Sequence, residues 1–297
     1  MRKFAYLIIC LLILTKAAGA SDPAAFSTSK PWAYWWWPGS AVSEKGITHN
    51  LESFAKAGFG GLHIIPIYGA KGYESAFLSF LGPAWKQKFA FVLKEAKRLH
   101  LGIDMTLGTG WPLGGPTINA SDAAKRYQIE MVQIAANQSY KLSAADVQAA
   151  SVFVDGNFEQ ELISAHISQY TAGPKGATIY VLVQKGTGQQ VKRAAPGGEG
   201  LVMDHFSKSA FEHYRGEFVP LLKQAHAPLR ALYNDSYEVY GANYTPKLFE
   251  AFEQMNHYDL RKHLDVLAKP KAESEDENAI WADYHRTLSS LLLTEFT

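Results

Sequence analysis

Asn234, Asp235, Ser236, Tyr237 and Glu238 stand in a row directly after the apolar run Leu229 to Tyr233. A carboxyl at the end of a buried strand, with Tyr233, Tyr237 and Tyr240 around it, is a candidate general acid. An apolar, aromatic setting favours the protonated form, and an acid must hold its proton near neutral pH. Glu238 is the residue of the row best suited to that role. The plainer alternative is a strand-end carboxylate bound to neighbouring backbone or to Arg230. Asp204 and His205 follow another apolar run, Leu201 to Met203, in the same manner. They suit a polar ligand, or, for His205, a core histidine with its bonds made. Trp111 lies in the glycine- and proline-rich loop Gly108 to Pro116, GTGWPLGGP, where a large ring has little to do in a core. Asp104, inside a strand, reads as a buried residue with a structural partner. Glu44, Glu52 and Glu95 read as solvated helix faces.

Each of these groups needs a strand to hold it. Ala33 to Trp37 reads as a first strand and Gly60 to Tyr68 as a second, with a helix between them that Ser43-Glu44 begins. Pro83 to Leu99 carries Phe89, Val92, Leu93, Ala96 and Leu99 on one helical stripe, and Gly102 to Leu107 follows as a third strand. Leu201 to Met203 and Leu229 to Tyr233 read as two further buried parallel strands. Between them Ser207 caps a helix that carries Phe211, Tyr214, Phe218, Leu221 and Leu222, and Pro228 stops it. The last helix carries Ile280, Tyr284, Leu288, Leu291 and Leu292. The expected fold is α/β, a partial (β/α)8 TIM-type barrel of about five β/α units. Catalytic groups of such a barrel sit at the C-terminal ends of its strands. Tyr127 to Ile134, Ser151 to Val154 and Thr178 to Val183 alternate without a helical stripe, which marks a β-rich insertion over 126–199. The barrel parts are then 21–125 and 200–297. A closed barrel takes eight strands, so five imply the N-terminal piece of a longer protein. Residues 21–297 alone are expected to be insoluble or molten and to release no rhamnose, with Leu201, Val202, Leu229 and Leu232 near an uncovered side.

The 297 residues are 47% hydrophobic and 19% charged, with net charge +1, a globular composition that gives no reason to expect a nucleic acid partner. Aromatics make up 13% and include seven Trp. Such rings stack on the apolar faces of sugars, and they also fill cores. Trp36 and Trp111 are the candidates for a sugar platform. Residues 1–20 read as a signal peptide: Arg2 and Lys3, then the apolar run Phe4 to Leu14, then Ala18-Gly19-Ala20. The single cysteine, Cys10, lies inside it, so the mature chain has no thiol chemistry. Export to a bacterial periplasm or beyond is expected, with no stable membrane span after cleavage. The sequence has no P-loop, no GxGxxG after a strand, no HExxH and no serine-centred elbow.

Four stretches, PWAYWWWPGSAVSEKGITHNLESFAKAGFGGLHI, LGTGWPLGGP, GGEGLVMDHFSKSAFEHY and LYNDSYEVYGANYTPKLFEAFEQMNHYDLRKHL, resemble in order the α-L-rhamnosidases of glycoside hydrolase family 106. The resemblance runs over about 29–297 and is weak in the insertion. It implies an exo-acting, inverting hydrolase that removes terminal L-rhamnose from pectic or related glycans, with Glu238 as general acid. Tyr237 stands where Trp is common in the family. Calcium is implied as a possible cofactor. Asp204, His205 and Asp235 are candidates for it, or for sugar hydroxyls directly; His is a poor calcium ligand, so His205 suits a hydroxyl better. The general base would lie beyond residue 297. The alternatives are a non-catalytic carbohydrate-binding or non-functional truncated barrel, and a barrel hydrolase acting on another sugar.

Overall fold

The computed structural model describes residues 29–142, 146–224 and 229–296. The proposed signal peptide with Cys10, and Pro228, lie outside the described residues.

The chain begins with β1 (Trp32–Pro38), whose pleat divides its rings. Trp35 and Trp37 point into the core, while Tyr34 and Trp36 stay 59% and 47% exposed. Helix α1 (Glu44–Lys56) starts where the Ser43 hydroxyl accepts the Gly46 N–H at 3.1 Å. It buries Ile47 and Leu51. Strand β2 (Gly61–Ile67) is buried over all but its last residue. Helix α2 (Pro83–Arg98) has proline in its first turn and buries Trp85, Phe89, Val92, Leu93 and Ala96. Strand β3 (Gly102–Thr106) is wholly buried. The core here joins Trp35, Trp37, Leu62, Ile64, Ile103 and Met105 of the strands to the apolar stripes of α1 and α2. Glu95 is also buried against this layer, where Arg98 and Thr48 bind its carboxylate, so it is not the solvated residue expected.

After β4 (Gly114–Gly115) the chain enters strands β5 (Lys125–Ile134), β6 (Ser139–Lys141), β7 (Val147–Val154), β8 (Asn157–Glu161), β9 (Gln169–Thr171) and β10 (Ala177–Gly186). They form an antiparallel sheet of order β5-β10-β7-β8 and a small β6-β9 pair. Strand β11 (Leu201–Val202) follows, then α3 (Lys208–Gly216) and α4 (Val219–Gln224), then β12 (Leu229–Tyr233). The apolar stripe expected in one helix is thus split over two. Helices α5 (Leu248–Asn256), α6 (Leu264–Leu267) and α7 (Glu275–Leu291) follow, and a π-helical turn, Leu292–Phe296, continues from α7.

β1, β2, β3 and β12 form one parallel sheet in that order. The class is therefore mixed α/β, and among the described residues the sheet is open. Leu201 to Met203 does not belong to it, contrary to expectation. β11 pairs antiparallel with the glycine pair of β4, and Val202 is fully buried there. The parallel strands number four among the described residues, not five. The last helices differ from expectation in a related way. Leu248, Phe252, Leu264, Tyr284 and Leu288 pack with Ala149 and Leu182 of the antiparallel sheet. The other face of that sheet has its own core of Val152, Ile179, Val181 and Val183. No helix among the described residues is long and apolar enough to cross a membrane.

Candidate active site

Because its four strands are parallel, the sheet brings four C-terminal ends to one rim. In α/β sheets that rim is where ligands bind. β1 runs into Gly39, whose N–H donates to the Ile67 carbonyl at 2.9 Å, and β3 runs into Leu107, whose N–H donates to Tyr233 O at 2.8 Å. A segment returning from the insertion closes over them. Trp111 and Lys192 exchange backbone bonds of 3.1 and 2.9 Å, and the Tyr68 N–H donates to Arg193 O at 3.0 Å.

Glu238 stands on this rim. Its carboxylate meets the Lys192 ammonium at 3.1 Å, and Tyr240 donates its hydroxyl to the same oxygen at 3.2 Å. The side chain of Gln189 fixes the backbone around it. Its amide donates to Glu238 O at 2.7 Å and its carbonyl accepts the Tyr240 N–H at 2.7 Å. The apolar cage expected around Glu238 is absent. The group is 40% exposed, and of the expected tyrosines only Tyr240 touches the carboxylate. Arg230, the alternative partner, is engaged elsewhere.

The open face of the sheet carries a polar and aromatic layer that the sequence reading had not assembled. Arg230 donates two bonds to Asp104, one of 2.9 Å, and its guanidinium lies 3.8 Å from the centre of the Trp32 ring. Asp104 thus has the structural partner expected. Gly61 leaves the room for Trp32, since a Cβ there would stand 2.4 Å from the ring. Above this pair, His63 Nε2 lies 3.1 Å from the Thr106 hydroxyl, and its ring lies between Tyr34 at 5.3 Å and Tyr233 at 4.9 Å. Burial lowers the His63 pKa, opposed by the charges of Asp104 and Asp235. Trp36 lies 6.1 Å from Tyr34, and Asp235 is exposed near His63. The signal for His63 was present: it is the one imidazole in the apolar run GGLHIIPIY.

Asp204 and His205 occupy a different place. Asp204 accepts from the Thr245 hydroxyl at 2.9 Å and from the Phe206 N–H at 3.0 Å, with Lys125 Nζ 3.8 Å away. Lys125 itself donates to the carbonyls of Ser121 and Ala123. Burial pushes the Asp204 carboxyl up and the Lys125 ammonium down, each offset by the partner's charge. His205 bonds the Met203 carbonyl through Nδ1 at 2.8 Å, while its buried Nε2 has no hydrogen-bond partner among the described residues. Its ring packs on Tyr237 and Phe296, and burial lowers its pKa to about 4. The structure therefore groups Glu238, Asp235, Trp36 and Trp111 at the open rim and face, and sets Asp204 and His205 beneath.

The residues named for calcium do not fit it. Among the described residues no three His, Cys, Asp or Glu side chains come together to hold a metal ion. Asp204, the most buried of the candidates, already has an ammonium beside it, which would repel a second cation.

The chain is similar to known proteins in fold and in sequence. A rhamnosidase from Novosphingobium sp. PP1Y shares the fold at a TM-score of 0.71 and 19% identity, over 93% of this chain and 44% of that one. A protein of Formosa agariphila named "Putative beta-glucuronidase" is 25% identical over 337 aligned positions, which cover 94% of this chain. The chain spans 28% of that relative's length. The family model described as alpha-L-rhamnosidase, glycoside hydrolase family 106, matches residues 23–183 and 169–297, and the chain belongs to that family.

Proposed function

We propose that the protein of which these residues are part is an exported, exo-acting α-L-rhamnosidase that hydrolyses terminal L-rhamnose from pectic or related glycans with inversion. The observation that carries this reading is Glu238, half exposed at the shared end of four parallel strands and held there by Gln189. On this reading the open sheet is a segment of a (β/α)8 barrel, and the 126–199 region is an insertion beside it. Glu238 protonates the departing glycosidic oxygen. Lys192 contacts the same carboxylate through Oε2. Inversion needs a second carboxylate about 6.5–9.5 Å from the acid, which activates water on the opposite face of the sugar. We assign that base to the part of the family's length that this chain does not span. Tyr34 and Trp36 offer ring faces for the sugar.

Proton NMR of the first sugar released from an α-L-rhamnoside by the full-length protein tests the reading. Inversion gives the β-anomer first. The α-anomer first, or no rhamnose at all, would overturn it. The name of the Formosa relative favours a second reading, cleavage of a glucuronide, and an aryl β-glucuronide in the same assay separates the two.

A further inference from the structure

Glu238 lies in a stretch, 234–239, that belongs to no helix or strand. Its own strand, β12, has already ended at Tyr233. Regular structure therefore does not set where its carboxyl reaches. The segment returning from the insertion meets it at three places instead. Lys192 takes the carboxylate. Val191 packs with Val239 in a small core that Ala124 and Val202 share. Gln189 takes the backbone: its side-chain amide donates to Glu238 O and its side-chain carbonyl accepts the Tyr240 N–H, both at 2.7 Å.

The Gln189 bonds have the pattern of a neighbouring strand. In a parallel sheet one residue binds a carbonyl on the next strand and the N–H two residues further on. Gln189 binds residues 238 and 240 in that way, with its side-chain amide in place of a peptide group. A primary amide carries the donor and the acceptor that this needs. The amide is itself anchored. The Val202 N–H donates to Gln189 O at 2.9 Å, and the Gln189 N–H donates to the Thr187 hydroxyl at 3.3 Å. Val202 is fully buried in β11. A path of short contacts thus runs from a buried strand, through one side chain, to the backbone of the proposed acid. The Lys192 contact does not replace it, because it joins two well-exposed side chains on flexible stems.

We infer that Gln189 is a positioning residue for proton transfer: it holds the Glu238 backbone so that the carboxyl reaches the departing glycosidic oxygen. This rests on the reading of Glu238 as general acid given above. A misplaced acid harms only those substrates whose leaving group needs its proton. The test therefore compares two substrates of the full-length protein, a rhamnosyl glycan and an aryl rhamnoside whose leaving group departs unaided. Gln189→Met keeps the length of the side chain and loses both bonds. Gln189→Glu, when ionised, keeps the acceptor for Tyr240 and loses the donor to Glu238. Each should lower turnover on the glycan by roughly ten- to a hundredfold more than on the aryl rhamnoside, the scale of an ångström's misplacement. The loss should fall on kcat rather than KM. Equal losses on both substrates, or a loss confined to KM, would overturn the inference. Hydrogen exchange over 234–243 reads the same contact without a substrate. The Tyr240 amide should exchange faster in Gln189→Met than in the wild type. Unchanged exchange would overturn the inference whether or not a rhamnoside is cleaved. Faster exchange in a protein whose wild type releases no rhamnose would sink the rhamnosidase reading and still support Gln189 as the residue that holds Glu238.

Discussion

In one carboxylate–lysine pair of this chain, Asp204 and Lys125, the side chains are only 1% and 4% exposed. In another, Glu238 and Lys192, they are 40% and 42% exposed. The buried pair is the more loosely spaced, 3.8 Å against 3.1 Å, yet it is the more constrained. Every charge there is answered by a fixed partner: Thr245 and the Phe206 N–H on Asp204, two carbonyls on Lys125. It joins the strand-end segment after β11 to the start of the antiparallel sheet at β5, and so locks the two cores together. The rim pair has water on one side and can open. Burial thus separates a carboxylate that holds the fold from one free to exchange its lysine for a ligand.

The comparison can be broken at the buried end first. Lys125→Met removes the cation and leaves Asp204 buried and charged, which should cost about 3–5 kcal/mol. Urea unfolding of the full-length protein would show it as a lowered midpoint for the catalytic domain. An unchanged midpoint would mean that the pair is not structural. A somewhat smaller effect belongs to His205, which lies beneath the rim beside Asp204. Its folded-state pKa is depressed to about 4 from an ordinary 6.5. The folded protein therefore favours the neutral ring. That contribution is present above pH 6.5 and is lost as the pH falls towards 4. The loss reaches roughly 3 kcal/mol at its limit. Asp204, whose pKa is raised, acts in the opposite sense at low pH, so the difference between wild type and His205→Gln isolates the histidine. The wild type should lose stability relative to that variant between pH 6.5 and 4; parallel curves would contradict it. The smallest effect is expected at the rim. Glu238→Gln should leave the urea midpoint where it is, since exposed ion pairs contribute little to stability.

Much of the sheet was legible. The alternation in AYWWWP sets Trp35 and Trp37 against Tyr34 and Trp36, and GGLHIIPI and GIDMT are the continuous apolar runs of buried parallel strands. Leu201 to Met203 was misread because three apolar residues do not reveal the direction of their partner. That partner proved to be Gly114-Gly115, whose lack of side chains lets Leu201 O approach. The position of Glu238 followed from the strand that precedes it. Its surroundings did not. Gln189 and Lys192 lie 49 and 46 residues away, on the return from an insertion whose path no local pattern records. The Asp104–Arg230 pair spans 126 residues and forms only because β12 crosses back to lie beside β3.

The assignment of Glu238 as the proton donor is tested most directly by the turnover of Glu238→Gln in the full-length enzyme on two substrates. One is a natural rhamnosyl glycan, whose leaving group needs a proton. The other is an aryl rhamnoside whose leaving group departs unaided. General acid catalysis is worth about 10²–10⁴-fold, so the glycan should lose turnover by that factor more than the aryl rhamnoside does. Equal losses on the two substrates would show that Glu238 does not donate the proton.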